Sequence, residues 1–132
     1  MKVETADVSD SVYDVTEKMI LRNVGCIVIT QNDDIAGIVT KGDVIRNIIL
    51  KTQDPKSVRV SSIMVTPVVT ASPDDSLEKA AGLMSEKLVS KLPVIDDESG
   101  LLVGIITSTD IIRAEPGYVK YLKELISSAA RN

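Results

Sequence analysis

Short apolar runs and one-sided apolar stripes alternate along this 132-residue chain, and the alternation occurs twice. Val12, Val15, Met19 and Ile20 recur at i, i+3, i+7 and i+8, which places them on one face of a helix. The run CIVIT is short and rich in β-branched residues, so it reads as a buried strand. NDD turns the chain and IAGIVT returns it. Val44, Ile45, Ile48 and Ile49 then mark the buried side of a second helix. In the second half, SPDDS opens a helix with Pro73 in its first turn, and Leu77, Ala80, Ala81, Met84 and Leu88 form its stripe. LPVID, the turn DESG and LLVGIIT give another hairpin. Pro116-Gly117 shortens the helix that follows, and a last helix carries Tyr118, Tyr121, Leu122, Leu125, Ile126 and Ala129 on one side. Each half predicts strand, helix, strand, strand, helix.

The two halves are copies of one unit. Ile35–Arg46 and Leu102–Arg113 share six of twelve residues, and four more positions exchange one aliphatic residue for another. Upstream, Thr5-Ala6 matches Thr70-Ala71, Asp10-Ser11 matches Asp75-Ser76, and Met19 matches Met84, all at an offset of 65. The offset grows to 67, which implies one insertion after the first helix and one in the turn DDESG. The polar stretch KTQDPKS joins the copies, so the expected division is 1–53, a linker at 54–57, and 58–132. The second copy opens with VRVSSIMVTP, for which the first has no counterpart. The first copy is therefore expected to lack the segment that would complete its site.

Composition narrows the chemistry. There is no Phe, Trp or His, and there is one cysteine, Cys26. The core must be built from aliphatic side chains and Met, no intramolecular disulfide can form, and a zinc or iron–sulfur site has no ligand set. The commonest general base near neutral pH is missing. Fifteen basic residues against nineteen acidic ones, with no stacking Phe or Trp, argue against a nucleic-acid binder. No apolar run approaches the ~20 residues that span a bilayer, and the N-terminus has no apolar signal core, so a cytoplasmic protein with no membrane partner is the expectation.

The repeated corner, strand then Thr-x-x-Asp then helix, carries the candidate chemistry. Read conservatively it is a capping box, in which the threonine hydroxyl satisfies an orphan amide at the helix start. Read functionally, the free amides and hydroxyl can meet a phosphate while the aspartate accepts from a pair of sugar hydroxyls. The glycine three before each threonine lets a ligand approach the strand backbone. The two readings are compatible.

The pieces IMVTPVVT, LEKAAGLM, KLPVID and GIITSTDI, with SVYDVTEKM, CIVIT and GIVTKGDVI in the first half, resemble a tandem cystathionine-β-synthase-type (CBS) domain pair over nearly the whole chain. The resemblance implies a mixed α/β fold of α+β type. Two pseudo-symmetric motifs, each a small three-stranded sheet packed on two helices, would form one compact module. It implies regulatory sensing of AMP, ADP or ATP, or of S-adenosylmethionine, in clefts between the motifs, and homodimerisation through helical faces. Carried over by position, Thr40 and Thr107 face phosphate, and Asp43 and Asp110 hold ribose. Thr5 and Thr70, in the strand before each first helix, line the adenine pocket. Cys26 and Ile27 in one half, and Leu92 and Pro93 in the other, pack on the base, with Ile38 and Ile105 closing the pocket. Lys41 and Lys91 supply one cation per half, in different places, so the sites should be unequal. By the offset of 66 in that region, Lys91 stands where Gly25 does. Arg46 and Arg113 are expected in helix-surface ion pairs.

Three functions follow in order. A regulatory adenine-nucleotide sensor, acting through an unidentified effector protein, accounts for both retained Thr/Asp pairs. A structural dimerisation module with vestigial clefts uses the apolar helix faces alone. An enzyme lacks a P-loop, a metal set, a catalytic cofactor and a nucleophile–base pair.

Overall fold

The computed structural model describes residues 3–118 and Leu122, which fall into two compact units divided between Val68 and Val69. In the first unit, β1 (Thr5–Asp7) runs parallel to β2 (Cys26–Gln31), and β2 pairs antiparallel with β3 (Asp34–Thr40). Between β1 and β2 lies α1 (Val12–Arg22). Its N-cap is Ser11, whose hydroxyl accepts from the Asp14 amide at 3.0 Å, and left-handed Asn23 ends it. The β2–β3 turn is Asn32-Asp33, both at positive φ, as a two-residue hairpin demands.

The aliphatic pattern predicts this core with two exceptions. Val15, Met19, Ile27, Ile29 and Val39 are buried together, joined by Val60. Ile20, expected on the buried face of α1, is 67% exposed. It lies about 80° round the helix from Val12, outside the arc of Val12, Val15 and Met19. After β3, α2 (Lys41–Val44) makes a single turn and passes into a π-helical turn, Ile45–Ile49. The Leu50 amide reaches back to the Ile45 carbonyl and that of Gln53 to Ile48, five residues in each case. Val44 and Ile48, four residues apart on one face, are buried, whereas Ile45 and Ile49, about 100° round from that pair, are exposed, contrary to the expectation that all four share the buried side.

The segment expected to open the second repeat instead builds the first unit. Val12 and Tyr13, the first amides of α1, donate to the carbonyls of Val58 (2.9 Å) and Pro55 (3.0 Å). The Val60 amide donates to Asp10, and Ile38 and Val65 exchange both backbone bonds at 3.1 and 2.8 Å. Residues 54–65 are therefore structure rather than linker, and the spatial boundary is not at 54–57. The reason is the outer edge of β3, whose backbone groups are satisfied by Val65. The expectation that the first copy lacks its opening segment is thereby reversed. Among the described residues it is the second unit whose corresponding strand has no such partner.

In the second unit, β4 (Lys91–Ile95) and β5 (Leu102–Thr107) form an antiparallel hairpin. The expected third strand is reduced to Ala71, which bridges in parallel to Val94. The helix expected from SPDDS begins later, as α3 (Leu77–Lys87) with Ser76 as N-cap. Pro73 sits in the preceding turn, where Asp75 accepts from the Ser72 amide at 2.9 Å. That bond, with Lys79 beside it, holds the Asp75 carboxyl below the usual carboxylate range. Ala80, Ala81 and Met84 are buried, while Leu77 and Leu88 at the helix ends are exposed. After β5, α4 (Ser108–Ala114) stops where Glu115 turns extended before Pro116. Ala71, Leu92, Ile111 and Leu122 complete the core, with Tyr118 packed against it. Tyr121, Leu125, Ile126 and Ala129 lie outside the described residues.

Strand pairing corrects the alignment of the repeats. Cys26 faces Thr40 and Lys91 faces Thr107, so the offset is still 65 at the start of the hairpin and reaches 67 only at its end. Both extra residues lie in the second turn, and none follows the first helix.

A Cβ on Gly37 would sit 2.5 Å from Met64 Sδ and 3.0 Å from Met64 Cβ, whereas one on Gly104 would meet nothing within 4 Å. Gly37→Ala is expected to cost roughly 1–3 kcal/mol through overpacking. Gly104→Ala should stay within about 0.5 kcal/mol of the parent, and urea midpoints of the two variants check the difference.

Candidate functional site

Each unit carries its own strand-to-helix corner, and the two have one design. Thr40 and Thr107 are extended N-cap residues. Their hydroxyls accept from the amides of Asp43 (3.3 Å) and Asp110 (3.1 Å). Each aspartate in turn accepts from its threonine amide, at 2.8 Å for Asp43 and 3.0 Å for Asp110. These are complete capping boxes. The next amide is also engaged, Lys41 with the Gly25 carbonyl at 3.2 Å and Ser108 with Ser90 at 2.9 Å. The expectation of free amides awaiting a phosphate is thereby narrowed: at each corner the amides of the threonine, of the residue after it and of the aspartate are used by the fold.

Here the corners diverge. Asp43 is only 6% exposed. Its Oδ2 also accepts from the Thr40 hydroxyl at 3.0 Å, and its Oδ1 is paired with Arg46 Nη2 at 3.0 Å. Asp110 is half-buried, and among the described residues no cation lies within ion-pair distance of it. Arg46 thus forms the expected ion pair, and among the described residues Arg113 does not.

The other predicted residues divide cleanly between the units. Thr5 lies in β1 beside Val28, and its carbonyl takes the Lys18 ammonium. Cys26 opens β2 opposite Thr40. Ile27 is wholly buried in the first core, so it supports the corner from behind instead of meeting a ligand. Ile38, half-buried, sits between Val28 and Val65. Lys41 is exposed on the first helical position. In the second unit Thr70 precedes the Ala71 bridge, outside any strand. Leu92 is wholly buried, the register-matched counterpart of Ile27, and Pro93 is buried opposite Ile105. Lys91 is half-buried and faces Thr107, the place Cys26 takes in the first unit and not that of Gly25. An offset of 66 misaligned these residues because both insertions lie further on, in the turn. Neither Lys41 nor Lys91 makes an ion pair among the described residues.

Also among the described residues, no group of three or more Cys, Asp or Glu side chains is placed to hold a metal, and no helix is long and apolar enough to cross a membrane. The first unit carries a groove of about 340 Å³, lined by Tyr13, Thr16, Ile20, Leu21, Ile49 and Pro55 among others. Ile20, Leu21, Ile49 and Leu50 are each more than 60% exposed around it. The Thr16 hydroxyl oxygen in its wall is buried with no hydrogen-bond partner.

Thr40→Ala and Thr107→Ala each remove one cap and are expected to lower stability by about 1 kcal/mol. Serine at either position should restore it, as read from urea midpoints.

Comparison with known proteins gives a consistent picture. The family model described as CBS domain matches residues 1–50 and again 60–117. An uncharacterized protein of Methanopyrus kandleri is 32% identical over 123 residues, covering 92% of this chain and 62% of its own length. The inosine-5'-monophosphate dehydrogenase of Thermoplasma acidophilum is 36% identical over 94 residues, covering 71% of this chain but 18% of that enzyme. Among solved structures, the CBS domain pair of protein MJ0100, in complex with 5'-methylthioadenosine and S-adenosyl-L-methionine, superposes with a TM-score of 0.76 at 28% identity, covering 89% of this chain and 90% of that one. The chain spans about three-fifths of the length of the curated relatives it matches most fully.

Proposed function

This chain belongs to the CBS-domain family as a tandem pair, and from that premise we propose that it is a regulatory module that binds adenosine-based ligands, AMP, ADP or ATP foremost, at its two Thr/Asp corners. The observation that carries this reading is the pair of carboxylates set at the same point of two capping boxes. A box needs one carboxylate oxygen for the threonine amide; the second faces an incoming diol directly at Asp110 and is held by Arg46 at Asp43. A ribose presents two adjacent hydroxyl donors, which suits an ionised carboxylate that accepts only. The MJ0100 pair, with its adenosine-derived ligands, supports the class of ligand and brings S-adenosylmethionine into the test.

The module is not catalytic in this reading. Its match to a dehydrogenase covers under a fifth of that enzyme, as an appended part would. Regulation then works by differential affinity: a ligand that prefers one arrangement of the module shifts the population toward it and is read by an effector protein.

Calorimetric titration with AMP, ATP and S-adenosylmethionine tests the reading. Asp110→Ala is expected to weaken binding at the second corner by at least about tenfold, the scale of a hydrogen bond to a charged group. Unchanged binding in the Asp43→Ala/Asp110→Ala double variant sinks the assignment of ribose to these carboxylates. Failure of all three ligands to raise the melting temperature at millimolar concentration would favour a purely structural module.

The groove on the first unit completes the proposal as a homodimer face. Five large aliphatic side chains, Ile20, Leu21, Ile45, Ile49 and Leu50, stand exposed on α1 and the π turn, an apolar cluster that a second copy of the same face would cover. Ile20→Glu and Ile49→Glu are expected to convert a dimer to a monomer in sedimentation velocity without unfolding it. A parent chain that is already monomeric at 100 micromolar, roughly the range in which weak interfaces form, rules the face out.

A further inference from the structure

We propose that Arg46 is a latch on Asp43 that makes the first corner selective for adenosine ligands carrying an anionic group, a control that the second corner lacks. The inference rests on the ribose reading above and concerns what the two corners do differently.

Both repeats place an arginine three residues after the aspartate, yet only one closes. Arg46 Nη2 lies 3.0 Å from Asp43 Oδ1, while Oδ2 takes the Thr40 amide and hydroxyl. Both oxygens of Asp43 are occupied. At the second corner Asp110 Oδ2 takes the Thr107 amide, and Arg113 makes no ion pair among the described residues.

The residue just before each aspartate explains the difference. In the first corner it is Gly42 and in the second Thr109. A Cβ on Gly42 would stand 3.0 Å from Arg46 Nη1, 3.3 Å from Nη2 and 3.4 Å from Cζ. The guanidinium therefore lies across the first turn of α2 in the space a side chain would fill. A threonine adds a methyl and a hydroxyl beyond that Cβ, so Thr109 keeps Arg113 from taking the same route to Asp110.

The consequence is chemical. A ribose entering the second corner finds a carboxylate oxygen open. Entering the first, it must displace a guanidinium and leave that cation without its partner. A ligand bearing phosphate offers the displaced Arg46 a new anion in a geometry that arginine recognises well. Neutral adenosine offers none. The first corner should therefore discriminate between phosphorylated and neutral ligands more sharply than the second.

Two measurements test this, the first without any ligand. Guanidinium-detected NMR of the free protein should show slowed rotation about the Nε–Cζ bond for Arg46 and free rotation for Arg113. Gly42→Thr should release Arg46, and Thr109→Gly should slow Arg113. A freely rotating Arg46 in the parent chain overturns the latch. The second measurement compares adenosine with AMP, using Asp110→Ala to isolate the first corner and Asp43→Ala to isolate the second. Arg46→Gln and Gly42→Thr should each lower the AMP-to-adenosine affinity ratio at the first corner by about fivefold, the coupling of a partly exposed ion pair. Thr109→Gly should raise the ratio at the second by a similar factor, and Thr109→Gly/Arg113→Gln should cancel that rise. Ratios that do not respond overturn the selectivity. Slowed Arg46 rotation with no ligand bound at either corner overturns instead the ribose reading on which the selectivity rests.

Discussion

The bond from the threonine amide to the aspartate carboxylate, made once in each unit, is the interaction on which the rest of this molecule turns. It closes the corner at which a sheet strand becomes a helix, and with the reciprocal bond to the threonine hydroxyl it satisfies two orphan amides. The same bond fixes where the carboxylate points. One oxygen is committed to the backbone, and the chemistry of each corner is decided by what reaches the other. The fold and the binding proposed above therefore draw on one pair of residues, and neither role has to be subtracted from the other.

Much of this was legible in the sequence, for a specific reason. A repeat doubles every local signal, so the weak pattern Thr-x-x-Asp, found twice at the same point of two strand–helix corners, gained weight that a single copy lacks. The apolar periodicities of α1 and α3 located most of the core, and β-branched runs located the hairpins. What was missed depended on geometry the pattern does not encode. Ile45 and Ile49 read as buried because the apolar stripe was drawn too wide, and each lies about 100° round the axis from the buried pair Val44 and Ile48. Lys91 was aligned with Gly25 because an insertion was placed after the first helix, and strand register shows it in the following turn. Free amides were expected at the corner because helix starts leave them, but the carbonyls of Gly25 and Ser90 had already taken the next ones.

The repeat in sequence and the unit in space do not coincide. Family resemblance restarts at residue 60, yet Val60 is in the first unit's core and Val65 pairs with Ile38 on β3. A strand edge with unsatisfied backbone groups next to a glycine needs a partner, and Val65 supplies the backbone bonds, with the Met64 side chain filling the space over Gly37. Gly104 repeats Gly37 in sequence without repeating its contact. Sequence identity between the copies thus preserves the edge but not what covers it, and such a difference is invisible to any comparison of the two copies alone.

Duplication begins with two equal corners, and in the proposed sensor equality has a physical limit: two identical corners would report one quantity. Separating them requires a change that alters selectivity while sparing the capping box, since loss of the box loosens the corner itself. The second inner residue of Thr-x-x-Asp, Gly42 or Thr109, meets that requirement. It takes no part in the reciprocal bonds, and it borders the path along which an arginine one turn later can reach the aspartate. Glycine there opens the path and threonine closes it, at a cost in helix propensity of only about half a kcal/mol between the two. A chain that keeps threonine, aspartate and arginine in both copies while varying the residue just before the aspartate has altered the cheapest position that makes its two corners chemically different.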